Sequence, residues 1–142
     1  MSLDPSGNLS VQGNIKVNTP GNAVTLSDGS QLGHLYLAKN DAGGGIQGTV
    51  PVVSLQVPAG SYFINAKTSF ANFDNSNQIA NCALSTGDQS VLFLQSDPPE
   101  VVVALEDSAT FSAPTTITLT CSTFNGFVEH AKLSAVVVSG IN

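Results

Sequence analysis

The chain contains no arginine. Four lysines are set against ten aspartates and glutamates in 142 residues, for a net charge of −6. Phosphate backbones and anionic membrane surfaces are bound by clustered cations. Nucleic-acid partners and electrostatic membrane attachment are therefore not expected. Charge of either sign is scarce: 10% of residues carry it, against roughly 25% in an average soluble protein. No apolar run approaches about 18 residues, so no membrane-inserting helix is expected either. The opening Met1-Ser2-Leu3-Asp4-Pro5 lacks the basic and apolar regions of a secretion signal.

Catalytic and metal motifs are missing too. There is no Gly-x-Ser-x-Gly elbow, no His-x-His and no His-x-x-x-His pair. Gly43 to Gly45 lack the Gly-Lys-Ser/Thr ending of a phosphate-binding loop and read as a turn. The two cysteines, Cys82 and Cys121, fit no paired-cysteine zinc spacing. His130 follows Glu129 in a strand-like run, where adjacent side chains point to opposite faces, so no Glu-His pair is expected. Two histidines could supply zinc ligands together with acids, and around a threefold axis one histidine, His34 or His130, becomes three ligands. No cofactor, no metal and no enzymatic activity are predicted.

What is present is strand patterning. Val57-Pro58-Ala59-Gly60 turns straight into Ser61-Tyr62-Phe63-Ile64-Asn65-Ala66-Lys67. Tyr62, Ile64, Ala66 and Phe70 share one parity, and Asn65, Lys67 and Ser69 the other. Period two predicts a strand with a dry face and a wet face. Further strands are predicted near Leu32–Lys39, Val50–Val57, Tyr62–Asn72, Gln78–Ser85, Ser90–Gln95, Val101–Leu105, Thr115–Thr123 and Glu129–Ser139. The breaks are the Gly-rich Asn40–Gly48, then Asn72–Asn77, Thr86–Asp88, Asp97–Glu100, Ala113-Pro114 and Asn125-Gly126. No segment reads as an amphipathic helix. The expectation is an all-β sandwich over residues 32–142, large enough to bury its own core.

Residues 1–31 read as a separate β-rich arm. Gly7-Asn8-Leu9-Ser10-Val11 and Gly13-Asn14-Ile15-Lys16-Val17 are two imperfect copies of one unit, resembling the β-rich shafts of phage fibres and bacterial surface proteins. Two predicted strands break the alternation. Val101–Leu105 is apolar on both faces, and so is Leu133–Val138 apart from Ser134. A strand apolar on both faces needs a second cover, from a partner subunit or from the arm folding back. Cys82 shares parity with Ala80 and Leu84, and Cys121 with Ile117 and Leu119. Both thiols therefore face the core, where they could meet across the sandwich as a disulfide or stay free as small core residues.

Three segments carry a family resemblance. Pro58-Ala59-Gly60-Ser61-Tyr62-Phe63, Thr116-Ile117-Thr118-Leu119-Thr120-Cys121 and Ala131-Lys132-Leu133-Ser134-Ala135-Val136-Val137-Val138 resemble a bacterial or phage version of the C1q/tumour-necrosis-factor jelly roll. The match spans about Leu35 to Ile141, with one extra residue between the proline and the glycine of the first motif. The resemblance implies a jelly-roll β-sandwich, a homotrimer with its last strand against the threefold axis, and an outer surface or apex that binds something.

The candidate ligand-binding residues are Phe73, Asp74, Asn75, Asn77, Phe124 and Asn125. Asp74, Asn75 and Asn77 offer oxygens to calcium or to sugar hydroxyls, and they also build ordinary turns. Phe73, Phe124 and Phe127, at or near predicted loops, offer apolar faces to a sugar; Phe124-Asn125-Gly126-Phe127 could equally be a hairpin whose phenylalanines cap the core. The leading reading is a non-enzymatic trimeric assembly module, such as the head of a fibre or surface protein. The alternative is a carbohydrate- or protein-binding module on the same scaffold. Either would work outside the cell, on its surface or on a virion, with itself and a glycan or surface protein as partners.

Overall fold

The computed structural model describes residues 2–3, 9–10, 34–96 and 100–138. The chain divides into two compact units, Met1–Leu32 and Gly33–Asn142. In the first, β1 (Ser2–Leu3) pairs antiparallel with β2 (Leu9–Ser10). The arm's second repeat and the Asp97-Pro98-Pro99 break lie outside the described residues.

The second unit has seven strands and, among the described residues, no helix: β3 (Leu35–Asn40), β4 (Gly44–Val57), β5 (Gly60–Asn72), β6 (Gln78–Leu84), β7 (Gln89–Leu94), β8 (Val101–Phe111) and β9 (Thr115–Val137). All pair antiparallel in the order β7-β6-β9-β5-β8, with β3 and β4 also on β9. The result is a jelly-roll β-sandwich, nearly closed into a barrel. The 23-residue β9 is its spine. Its first half pairs with β6 on one side and β4 on the other; its second half pairs with β5 and β3.

One strand can serve both sheets because its dry face changes parity twice. Ile117, Leu119, Cys121 and Thr123 are buried, then Gly126 and Val128, then Ala131, Leu133 and Ala135. Each change is a bulge, an extra residue that bends the strand. The first is Phe124-Asn125: β4 advances from Ile46 to Gly48 while β9 goes from Gly126 to Thr123. The second is His130, which with Ala131 opposes the single residue Thr68, and whose φ of 54° is the one positive value at a non-glycine among the described residues. A bulge in β4 likewise buries both Val52 and Val53, beside Pro51, a residue that cannot donate to a ladder.

Several expectations are corrected here. Asn125-Gly126 is not a turn. Gly126 pairs with Ile46 on one side and Asn72 on the other, so both edges of β9 are satisfied and the strand runs on. A Cβ at Gly126 would lie 2.7 Å from Phe70 Cε1 and 2.8 Å from Thr123 Cγ2, so the bare backbone is a packing requirement. The Gly-rich connection shrinks to Asp41–Gly43, because Gly44 and Gly45 pair with Val128 and Phe127. The strand at Val101 continues to Phe111 along β5. Ser69, of wet parity, is buried beside the His130 bulge, opposite Glu129.

The doubly apolar segments have one dry face each. Val103 and Leu105 point inward while Val102 (53% exposed) and Ala104 face out; Leu133 and Ala135 are buried while Val136 is half-buried on the outer side. Cys82 and Cys121 are bonded, with Cα atoms 4.1 Å apart. They do not reach across the sandwich, for they are direct partners on adjacent strands β6 and β9. Closing a 39-residue separation restricts the unfolded chain by about 4 kcal/mol.

Candidate functional site

Five of the six candidate ligand residues belong to a corner organised by two buried side-chain amides. Asn72 ends β5 and Gln78 begins β6, so the loop between them carries Phe73, Asp74, Asn75 and Asn77. Asn72 and Gln78 are 3% and 7% exposed, which in that environment demands partners for every polar atom. Asn72 Nδ2 donates to the carbonyls of Ser76 and Gln95, both at 2.9 Å. Its Oδ1 accepts the Asp74 N–H at 2.9 Å and a bond from Gln78 Nε2.

Gln78 then does for β9 what a neighbouring strand does elsewhere. Its Nε2 donates to the Asn125 carbonyl at 2.8 Å, and its Oε1 accepts the Asn125 N–H at 2.8 Å. The Thr123 hydroxyl also donates to Oε1, at 2.9 Å. A bulge leaves its extra residue without ladder partners. Here one primary amide supplies them, so the backbone of Asn125 is pinned to the start of β6. Asn77 is held separately, its Oδ1 accepting the Ser96 N–H at 3.0 Å.

Two aromatic rings result at the surface. Phe124, on the bulge, is 79% exposed, and Phe73 is 64% exposed with its ring 5.6 Å from that of half-buried Phe127. Asn75 and Asn77 are exposed, and Asp74 and Asn125 are half-buried. The structure thus links Phe73, Asp74, Asn75 and Asn77 to Asn125 through the Asn72–Gln78 network. Among the described residues no ring pair joins Phe124 to the loop; it sits on the bulge beside Asn125. The expected Phe124–Phe127 hairpin is also corrected: the segment continues β9, with Phe124 exposed and Phe127 half-buried. Asn72, Gln78 and Thr123 were missed as organisers. Their signal was available: Asn72 and Gln78 are polar residues on a dry parity, with Phe70 and Ala80 as their neighbours.

Elsewhere, His130 Nε2 stands 3.9 Å from Glu129 Oε1. Adjacent residues of a regular strand cannot meet this way; the left-handed bulge at His130 turns both outward. Asp107 and Asp88 form an acidic rim. Asp88 accepts the N–H groups of Gln89 and Glu106 at 2.9 and 3.0 Å. The Thr86 hydroxyl beside Asp107, helped by the Ser108 and Asp88 backbone, holds the Asp107 carboxyl below the usual range against the opposing effect of burial.

At the sheet ends bearing Pro58 and Pro114, His34, Tyr36, Tyr62 and Phe111 form a row of rings, with centroids 4.4, 5.9 and 6.0 Å apart in sequence. Tyr36, Gln56, Val57, Pro58 and Pro114 line a cavity of about 350 Å³ there. Burial, then Tyr36, pushes the Tyr62 phenol above its ordinary pKa, and its hydroxyl donates to the Pro58 carbonyl at 3.0 Å. Among the described residues no three His, Cys, Asp or Glu side chains form a metal-binding group, and no helix is long and apolar enough to cross a membrane.

No family model and no curated protein matches the chain. Among the solved structures that match the chain are two that share its fold. One is a structure of infectious bursal disease virus, Gx strain: 14% identity, TM-score 0.53, covering 92% of this chain and 39% of the viral one. The other is the crystal structure of the VP2 subviral particle of infectious bursal disease virus: 16% identity, TM-score 0.52, covering 87% of this chain and 37% of the other. The chain spans about two fifths of the length of each, 39% and 37%. At that identity the likeness is one of fold, and the fold is the jelly-roll β-sandwich.

Proposed function

We propose that the chain is a non-enzymatic structural module that assembles as a homotrimer, in the head of a fibre, in a cell-surface protein or in a virion. The observation that carries this reading is the apolar character of the outer sheet faces. On one face Leu35, Val136 and Phe63 are direct cross-strand partners, with Leu35 56% and Phe63 42% exposed. On the other, Ile79 pairs with Phe93, each more than 60% exposed at 67% and 64%, and Val91 lies one pleat along at 65%. Contiguous exposed apolar rows of this kind mark interaction surfaces. Burying one valine or leucine is worth roughly 1.5–3 kcal/mol, and the row is repeated on every copy.

The C1q/tumour-necrosis-factor-like trimer sets the last strand against the axis, which here is β9 with Val136 outward. The disulfide suits an oxidising extracellular setting or a particle surface. The fold shared with proteins of a viral particle fits the same reading. Light scattering at micromolar concentration tests it: the expected mass is that of three chains, and Val136→Asp, which would bury an unpaired charge, should split the assembly. A monomer for the unmodified chain removes the proposal.

A second reading has its own observation. The amide network holds the Phe73–Asn77 loop and the Phe124 bulge in fixed positions, with aromatic faces beside carboxylate and amide groups. That combination is the chemistry of sugar recognition. A glycan array gives a signal lost in Phe124→Ala if this site binds sugar, and none if the corner is structural only.

A further inference from the structure

Three of the chain's four lysines stand in one line. Lys39 on β3 is the direct partner of Lys132 on β9, and Lys132 is the direct partner of Lys67 on β5. All three are exposed. Adjacent strands lie about 4.8 Å apart, so the three ammonium groups share a strip about 10 Å long. Like charges directly opposite one another destabilise a sheet. Among the described residues the one contact of this kind is His130–Glu129, so no described carboxylate lies within 4.0 Å of an ammonium of the row. Lysine at a sheet edge is commonly a guard against stray pairing. That accounts for Lys39 on the edge strand and not for Lys132 and Lys67 on the strands behind it.

The same face carries opposite charge at its far side. Among the described residues β8 pairs with β5 alone and β3 with β9 alone, so each has an edge without a described strand partner. On β8, exposed Glu106 opposes Asn65, one pleat from the Ala104–Lys67 pair. Asp107 follows it on the opposite parity, half-buried, and the Asp88 carboxylate accepts the Glu106 N–H at 3.0 Å. The outer face therefore runs from cationic at β3 to anionic at β8, with Leu35, Val136, Phe63 and Leu37 (51% exposed) in the rows beside the lysines.

We infer that this polarised face joins copies of the chain head to tail: the β3 side of one copy, with Lys39 and Lys132, meets Glu106 and its acidic neighbours on the β8 side of the next. The inference rests on the assembly reading above and names its interface. A pair joined β3 to β3, or β8 to β8, would set Lys39 against Lys39, or Glu106 against Glu106, and is disfavoured by repulsion. Head-to-tail contacts between unlike surfaces close into a ring when the rotation allows, as a trimer does. The apolar rows supply the burial and the charges supply direction and partner choice.

Charge reversal tests this on the full oxidised chain by sedimentation velocity, with circular dichroism to confirm the fold. Lys39→Glu and Glu106→Lys should each weaken assembly about tenfold, and the two combined should restore most of it. Assembly of the unmodified chain should also weaken between about 0.01 M and 1 M salt, as the screening length falls from about 30 to 3 Å. If the chain assembles but neither reversal nor salt changes it, the interface is wrong and the assembly reading stands. A monomeric unmodified chain overturns both. If the singles dissociate and the double does not recover, the row serves a different anion. Retention of the unmodified chain on a sulfated-polysaccharide column, lost in Lys39→Glu, identifies that outcome and overturns the proposal.

Discussion

Replacing Gln78 with methionine removes the one side chain that stands in for a strand at the β9 bulge. Methionine keeps the length and apolar stem of glutamine but offers no donor and no useful acceptor. Four hydrogen bonds disappear, to Asn72 Oδ1, Thr123 Oγ1 and the N–H and C=O of Asn125. Asn72 Oδ1 keeps the Asp74 N–H, and the Thr123 hydroxyl keeps a long contact to the Ile79 carbonyl at 3.5 Å. The two backbone groups of Asn125 keep nothing. An unsatisfied buried polar group costs about 1–3 kcal/mol, so two cost about 2–6. Asn125 is half-buried, and water reaching it lowers the figure toward about 3 kcal/mol. For a chain of this size that is a fall in Tm of about 10 °C.

Urea unfolding followed by circular dichroism, at fixed protein concentration and with the disulfide intact, measures it. Gln89→Met, an exposed change on the adjacent strand, should stay within about 0.5 kcal/mol. Hydrogen exchange adds a local readout, with the Asn125 amide losing protection before its neighbours on β9. If Gln78→Met matched the unmodified chain within about 0.5 kcal/mol, the account of the bulge would be refuted.

Three further outcomes are expected. Removing the disulfide as Cys82→Ala/Cys121→Ala should cost about 4 kcal/mol in the same urea assay, and a loss under about 1 would show that the link does not restrict the unfolded chain. Gly126→Ala should cost about 1–3 kcal/mol through the clash with Phe70 and Thr123, seen as a lower urea midpoint at unchanged slope. Tyr62 sets a pH limit: its pKa is raised in the folded state, so its contribution is fully present below the unfolded value near 10 and is lost as pH rises through the folded one. Tyr62→Phe should flatten that alkaline loss of stability, and an unchanged slope would assign it to other groups.

Much of the architecture is legible in local chemistry. Period two in Tyr62–Phe70 and Ile117–Cys121 marks strands, and frequent turn residues between such runs mark a sandwich, because both signals arise within a few residues of one another. The same parity placed Cys82 and Cys121 in the core. It could not tell a partner on the next strand from one across the sandwich, since that depends on which strands pair. The candidate loop Phe73–Asn77 was legible as a polar turn with an exposed ring.

What only the tertiary structure decided has a common cause. Asn125-Gly126 has turn chemistry, yet it continues a strand because Gln78, 47 residues away, satisfies its backbone. Glu129 and His130 meet because Thr68 on another strand faces two residues at once. Lys39, Lys67 and Lys132 look scattered along the chain, and pairing with β9 puts them in one line. By itself the sequence determined which segments are strands and which face of each is dry. Register and bulges, which rest on partners far along the chain, decided which polar groups stand together.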